Sequence, residues 1–226
     1  MQEGLGLLFA VILVSAVPSA AAFAWFRLAR YPFPAPQFLL SLFAGATSVF
    51  AALILQGFLA GILPPVTDRA TLLAEIFVRI ALAEELGRLL LLIPLFMAFR
   101  RFGLWKASPE AIGKASGLAA GLGFGLLESA IYGAADPGLA LLRAFTATLL
   151  HAACGARVGL SIAVCRARPA LAIFQFASAV VIHGIYNLLI VTPGGFMPWL
   201  AVFVAASALA SSAQAIARGM RGEGGS

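Results

Sequence analysis

The chain has 226 residues, 62% of them hydrophobic and 11% charged, with a mean hydropathy of +1.01. Soluble domains are far less apolar, so this composition predicts a chain surrounded by lipid and excludes an ordinary water-soluble fold. The net charge of +6 comes from Lys and Arg placed singly or in pairs at the ends of apolar runs, with no basic stripe interleaved with aromatics. That pattern argues against nucleic acid as a partner and reads as a topology signal.

A bilayer core about 30 Å thick takes roughly 20 apolar residues as a helix, and backbone polar groups in lipid must be satisfied within their own segment. The apolar runs therefore predict an all-α, polytopic transmembrane helix bundle of about seven spans, at 4–26, 37–62, 70–99, 114–134, 138–165, 169–191 and 196–217. The whole chain, 1–226, reads as one integral membrane domain with a motif-bearing core at about 70–191.

The first span ends in the small residues Ser19 to Ala22, which would suit a signal peptide. Glu3 precedes it and no Lys or Arg does, which favours a retained helix. Breaks fall at Tyr31 to Pro36, Leu63 to Pro65, Gly133 to Gly138 and Thr192 to Gly195. With seven spans, Arg27, Arg30, Arg100, Arg101, Lys106, Lys114, Arg166, Arg168, Arg218 and Arg221 share one side, and only Arg69 clearly falls on the other. The positive-inside rule then puts the N-terminus outside and the C-terminus in the cytoplasm. In the fourth span Gly113, Gly117, Gly121 and Gly125 recur every fourth residue, a smooth stripe for close helix packing. Cys154 and Cys165 lie about 16 Å apart on one predicted helix, too far for a disulfide.

The informative residues are ionisable groups where lipid should exclude them: Glu84, Glu85 and Arg88 in span three, Glu128 in span four, His151 in span five, and His183 with Asn187 in span six. A charge at mid-membrane costs about 2.5–3.5 kcal/mol on the lower insertion scale. Counted from the span ends, Glu84, Glu85, Glu128, His151 and His183 all sit roughly 20 Å along their helices. Four helices thus bring titratable groups to one depth, and both histidines of the chain are among them.

Glu84 and Arg88 are four apart and are expected to form an ion pair, while Glu85 lies about 100° further round and need not share that partner. His183 and Asn187 share a face as two neutral donors, and Glu128 and Tyr132 repeat the spacing. A carboxylate with imidazoles at one depth can activate a water and stabilise an oxyanion. The same groups can ligate zinc, and no His-Glu-x-x-His signature decides between the two.

Structural readings stand beside these. Glu84 with Arg88, and His183 with Asn187, could each be interhelical clasps. Glu75 and Arg79 read as a structural ion pair, Arg143 as snorkelling outward, Arg157 as pointing to the cytoplasmic half, and Cys154 as a packing residue. A proton-coupled transporter or channel would use the same residue types, and so would a catalytically inactive membrane scaffold. Neither a Gly/Pro-broken helix pair in matching halves nor an inverted repeat supports transport.

Taken in order, Glu84-Glu85-x-x-Arg88, Gly123-Phe124-x-x-x-Glu128 followed by Tyr132, His151, and His183-x-x-x-Asn187 resemble the motifs of PrsW-type intramembrane proteases, relatives of the CAAX prenyl proteases and bacteriocin-processing enzymes. The resemblance runs from about Ala83 to Asn187. It departs from the PrsW pattern in having Arg88 where Lys is usual, and from the CAAX branch in the position of that Arg and in Glu128, where His is usual.

The resemblance implies peptide-bond hydrolysis in or at the edge of a bacterial cytoplasmic membrane, acting on a membrane-tethered or single-pass membrane protein such as an anti-sigma factor. It implies Glu84 as the base that activates water, His183 and Asn187 as an oxyanion hole, and His151 as a residue that orients the water or binds a metal. Glu85 and Glu128 would tune charge or complete a metal site, and Arg88 would orient the glutamate pair. The sequence agrees with both a metal-free site and one in which Glu128, His151 and His183 hold zinc, and it requires neither.

Overall fold

The computed structural model describes residues 2–31, 33–104, 107–133 and 136–221. Among these all the regular secondary structure is helical: α1 (Gln2–Leu28), α2 (Ala35–Ala60), α3 (Arg69–Ala74), a π-helical segment (Glu75–Leu82), α4 (Ala83–Arg101), α5 (Pro109–Gly133), α6 (Pro137–Phe145), α7 (Ala147–Val164), α8 (Pro169–Val191) and α9 (Met197–Arg221). Among the described residues six helical runs are long and apolar enough to cross a bilayer. The run Arg69–Arg101 is longer than any of them, but carries Glu75, Arg79, Glu84, Glu85 and Arg88 along its length.

Proline sets several starts. Pro34 precedes α2 in extended conformation with another proline in its first turn, and α8 opens on Pro169, where a missing N–H costs nothing. The run Arg69–Arg101 begins with a reciprocal cap: the Thr71 backbone N–H donates to Asp68 Oδ1 at 2.8 Å, and the Asp68 N–H donates to Thr71 Oγ1 at 3.0 Å. The Thr71 backbone N–H and hydroxyl, both donating to Asp68 Oδ1, hold the Asp68 carboxyl below its ordinary value.

Helices α5 and α7 form the buried centre, with α1, α2, α8 and α9 around them. Two glycine stripes make that pairing possible. A Cβ on Gly117 would lie 2.0 Å from the Gly155 carbonyl oxygen, and one on Gly121 would lie 1.9 Å from the carbonyl oxygen of His151. Backbone thus meets backbone, with dispersion and close packing replacing the hydrophobic drive that lipid cannot supply. The stripe expected from the sequence is therefore an α5–α7 seam, and it sets His151 at a fixed distance from α5. On the other side, a Cβ on Gly87 would lie 2.8 Å from the Ala52 backbone nitrogen, which brings α4 equally close to α2. Helix α1 packs against this body through Phe26, which is fully buried in an edge-to-face aromatic cluster with Phe33 and Phe38.

The span expected at 138–165 is interrupted. Thr146, between α6 and α7, has non-helical dihedrals; its hydroxyl donates to the Leu142 carbonyl at 2.8 Å and accepts from Tyr186 Oη at 3.0 Å. A side chain that bonds both its own backbone and a neighbouring helix bends the ladder there.

Candidate active site

The π-helical segment ends one residue before Ala83, so Glu84 and Glu85 stand in the first turn of α4 immediately after it. A π turn widens the helix and rotates the turns beyond it, and such turns occur often at functional sites. Glu84 faces α2, where Gln56 Nε2 donates to its Oε1 at 3.1 Å. Its Oε2 is buried without a hydrogen bond and looks toward His183 Nε2 at 3.6 Å.

Glu85 and Arg88 are both 0% exposed and are joined by an ion pair between Glu85 Oε2 and Arg88 Nη1. This corrects the expected Glu84–Arg88 pair. Positions three and four apart are both within reach on a helix, and here Gln56 and His183 claim Glu84 while Arg88 turns inward between Glu85 and α7. The other oxygen of Glu85 accepts from His183 Nδ1 at 2.9 Å. A carboxylate paired to a guanidinium only accepts, so His183 carries a proton on Nδ1 and turns Nε2 toward Glu84.

His151 is fixed by the same logic. Arg88 Nη2 lies 3.2 Å from His151 Nδ1, and a guanidinium only donates, which leaves the proton on Nε2. That nitrogen donates to Glu128 Oε2 at 2.8 Å. The two imidazoles meet edge to face, with centroids 5.0 Å apart. Phe124 walls the site: its ring centroid lies 4.7 Å from that of His151 and 4.6 Å from the guanidinium carbon of Arg88.

Arg143, expected to snorkel outward, instead pairs with Glu128 Oε2 at 2.6 Å and lies 4.1 Å over the ring of Tyr132. The break at Thr146 sets α6 off from α7, and a carboxylate inside the bundle is the partner within reach. The Glu128–Tyr132 spacing thus becomes a two-sided grip on one arginine. Arg79 pairs with Glu75 as expected. Cys154 is fully buried, its thiol donating to the Ala179 carbonyl at 3.5 Å. Arg157 reaches the hydroxyls of Ser212 and Ser211 on α9 at 2.7 and 2.8 Å.

Glu84, Glu85, Arg88, Glu128, His151 and His183 therefore form one connected cluster, drawn from four helices. Asn187, one turn beyond His183, is half-buried and makes no side-chain hydrogen bond among the described residues. The sequence reading missed Gln56 and the inward role of Arg143. Gln56 had a signal, since it is the lone amide in the apolar run Leu53 to Ala60.

The ligand-capable atoms of Glu84, His151 and His183 lie within 4.8 Å of one another. Glu128, expected in such a set, instead stands behind His151. Charge is distributed unevenly. Glu85 has Arg88 and Glu128 has Arg143, whereas Glu84 has no arginine partner among the described residues. The one carboxylate left without a fixed counter-charge is the one that faces both histidines.

A family model described as PrsW family intramembrane metalloprotease matches residues 34–211, a stretch that holds every residue of the cluster. No curated protein and no solved structure matches the chain. With most of its length matched and the ordered Glu-Glu, Glu, His and His motifs converging in one buried cluster, the chain belongs to the PrsW family of intramembrane metalloproteases.

Proposed function

We propose that the cluster hydrolyses a peptide bond of a membrane-tethered or single-pass membrane protein, with Glu84 as the base that takes the proton of the attacking water. The observation that carries this is the state of Glu84: buried, one oxygen held by Gln56 and the other uncommitted before two imidazoles, with no arginine paired to it among the described residues. Such a carboxylate can accept a proton from water and return it to the leaving amine. His183 is held by Glu85 with Nε2 toward the reacting region, and His151 is held between Arg88 and Glu128. The Asn187 amide, uncommitted and one turn from His183, is available to donate to the oxyanion of the tetrahedral intermediate. Arg88 and Arg143 position the cluster by neutralising Glu85 and Glu128.

The same residues fit a divalent cation. Two imidazoles and a carboxylate are zinc-type donors, and each imidazole has its own carboxylate behind it, an arrangement that fixes tautomer and raises basicity. In a cation-loaded state Glu84, His151 and His183 would hold the ion, which would polarise the substrate carbonyl and make bound water acidic, and Glu84 would then act as a ligand in place of the free base. Both nitrogens of His151 are engaged, Nδ1 accepting from Arg88 and Nε2 donating to Glu128, so cation binding at Nδ1 would have to displace the guanidinium.

The test compares new protein N-termini, by mass spectrometry of labelled termini, in membranes containing wild type or Glu84→Gln at equal abundance. Cleavages near membrane boundaries that vanish with Glu84→Gln support the proposal. Identical termini in both, with both proteins folded, overturn it.

A further inference from the structure

Below the cluster, α4 and α8 separate. The π-helical segment packs against α8, but α4 itself has few direct contacts with it. The gap is a crevice of about 840 Å³, walled by α4, α7 and α8. Its sides are apolar, with Leu89, Ile93, Phe176 and Ala177 among them, and Arg100, Arg101 and Arg166 also line it. No acidic residue lines it. None of the three arginines meets a carboxylate among the described residues, and the guanidinium of Arg100 only rests 6.0 Å over the ring of Phe96.

A soluble anion would leave the apolar walls uncovered, and a neutral hydrocarbon would leave three cations unanswered. A ligand with an anionic head and a long apolar body answers both. The positive-inside reading puts this mouth on the cytoplasmic side, where basic pockets between transmembrane helices take anionic lipid head groups. We propose that the crevice binds an anionic phospholipid, its phosphate on Arg100, Arg101 and Arg166 and its acyl chain along Leu89, Ile93 and Phe176. The lipid then fills the space between the helix that carries Glu84 and Glu85 and the helix that carries His183, bracing the two.

Cys165 supplies the readout, because it lines the crevice and is exposed while Cys154 is buried. The purified full-length protein is reconstituted into vesicles of phosphatidylcholine alone or with phosphatidylglycerol, and alkylation of Cys165 by a maleimide is timed. In wild type, phosphatidylglycerol slows alkylation several-fold. In Arg100→Gln/Arg101→Gln/Arg166→Gln the two lipids give equal rates, with a melting temperature in phosphatidylcholine equal to that of wild type showing that the fold is kept. Equal rates in wild type overturn the proposal, as does protection that persists in the triple variant, which would mark a general surface-charge effect. Equal protection of wild type in phosphatidylcholine by inorganic phosphate overturns the lipid assignment in favour of a free anion. A triple variant that does not fold is replaced by Arg166→Gln alone, in which protection must fall. The readout needs no proteolytic activity, so it stands or falls apart from the protease reading.

Discussion

His183 lies between the two adjacent glutamates of α4, donating from Nδ1 to Glu85 at 2.9 Å while its Nε2 faces Glu84 across 3.6 Å. Two neighbouring carboxylates thereby acquire different duties. Glu85, locked to Arg88, holds the imidazole, and Glu84 is the one that the proposed function leaves to react.

Glu84→Gln keeps the Gln56 contact and the volume but removes the proposed base. Proteolysis in reconstituted membranes is expected to fall at least about 10²-fold, the usual scale for a general base. The melting temperature is expected to stay near that of wild type. Retained activity would place the base elsewhere.

Glu85→Gln leaves the Arg88 guanidinium buried without its carboxylate. Breaking a buried pair from one side costs about 3–5 kcal/mol, whereas removing both charges costs much less. Glu85→Gln/Arg88→Gln is therefore expected to unfold at a higher temperature than Glu85→Gln. A double variant less stable than the single would show that the pair is not coupled.

Purified protein is expected to bind one equivalent of zinc, measured by calorimetry, with His183→Ala and His151→Ala each abolishing the tight phase. Glu128→Gln removes only the carboxylate behind His151 and should weaken binding about 10–100-fold. Wild-type affinity in His183→Ala would exclude the Glu84, His151 and His183 set.

The α5–α7 seam gives a contrast between glycines. A Cβ at Gly117 would strike the Gly155 carbonyl, whereas one at Gly57 meets nothing within 4 Å. Gly117→Ala is expected to destabilise by about 1–3 kcal/mol or more through overpacking. Gly57→Ala, inside α2, is expected to stabilise by roughly 0.5–1 kcal/mol through helix propensity. Thermal unfolding of the two variants in one detergent reads the difference.

Asp68 gives a pH dependence outside the membrane. Its folded value lies below the unfolded value of 3.8 because Thr71 donates to it. The cap therefore stabilises above that unfolded value and is lost as pH falls through the folded one. The difference in melting temperature between wild type and Asp68→Ala should shrink over that acidic window. A difference that stays constant would show that the carboxylate charge is not what the cap uses.

Helix content and the gathering of Glu84, Glu85, Glu128, His151 and His183 were legible because lipid forces helices and penalises stray charge, so depth along each span carries information. The partner of Arg88 was not. Spacing permits both glutamates, and the choice was made by Gln56, an amide on a distant helix whose approach no local pattern encodes. Arg143 was misread for a related reason. Snorkelling is the default for an arginine near a helix end, and only the break at Thr146 offers it Glu128 instead.

The π-helical segment Glu75–Leu82 also works as an index for the site. A π turn amounts to one extra residue in the helical count, about 100° of rotation for everything beyond it. Deleting one residue from this stretch would absorb the extra residue and leave α4 in its present phase, whereas closing the turn to ordinary α geometry with every residue kept would rotate α4 by that angle. The position that now faces Gln56 and His183 would then pass from Glu84 to its neighbour along the chain, leaving every side chain of the motif present and the assignment of duties scrambled. Catalytic identity at this pair is a matter of phase as much as of residue type.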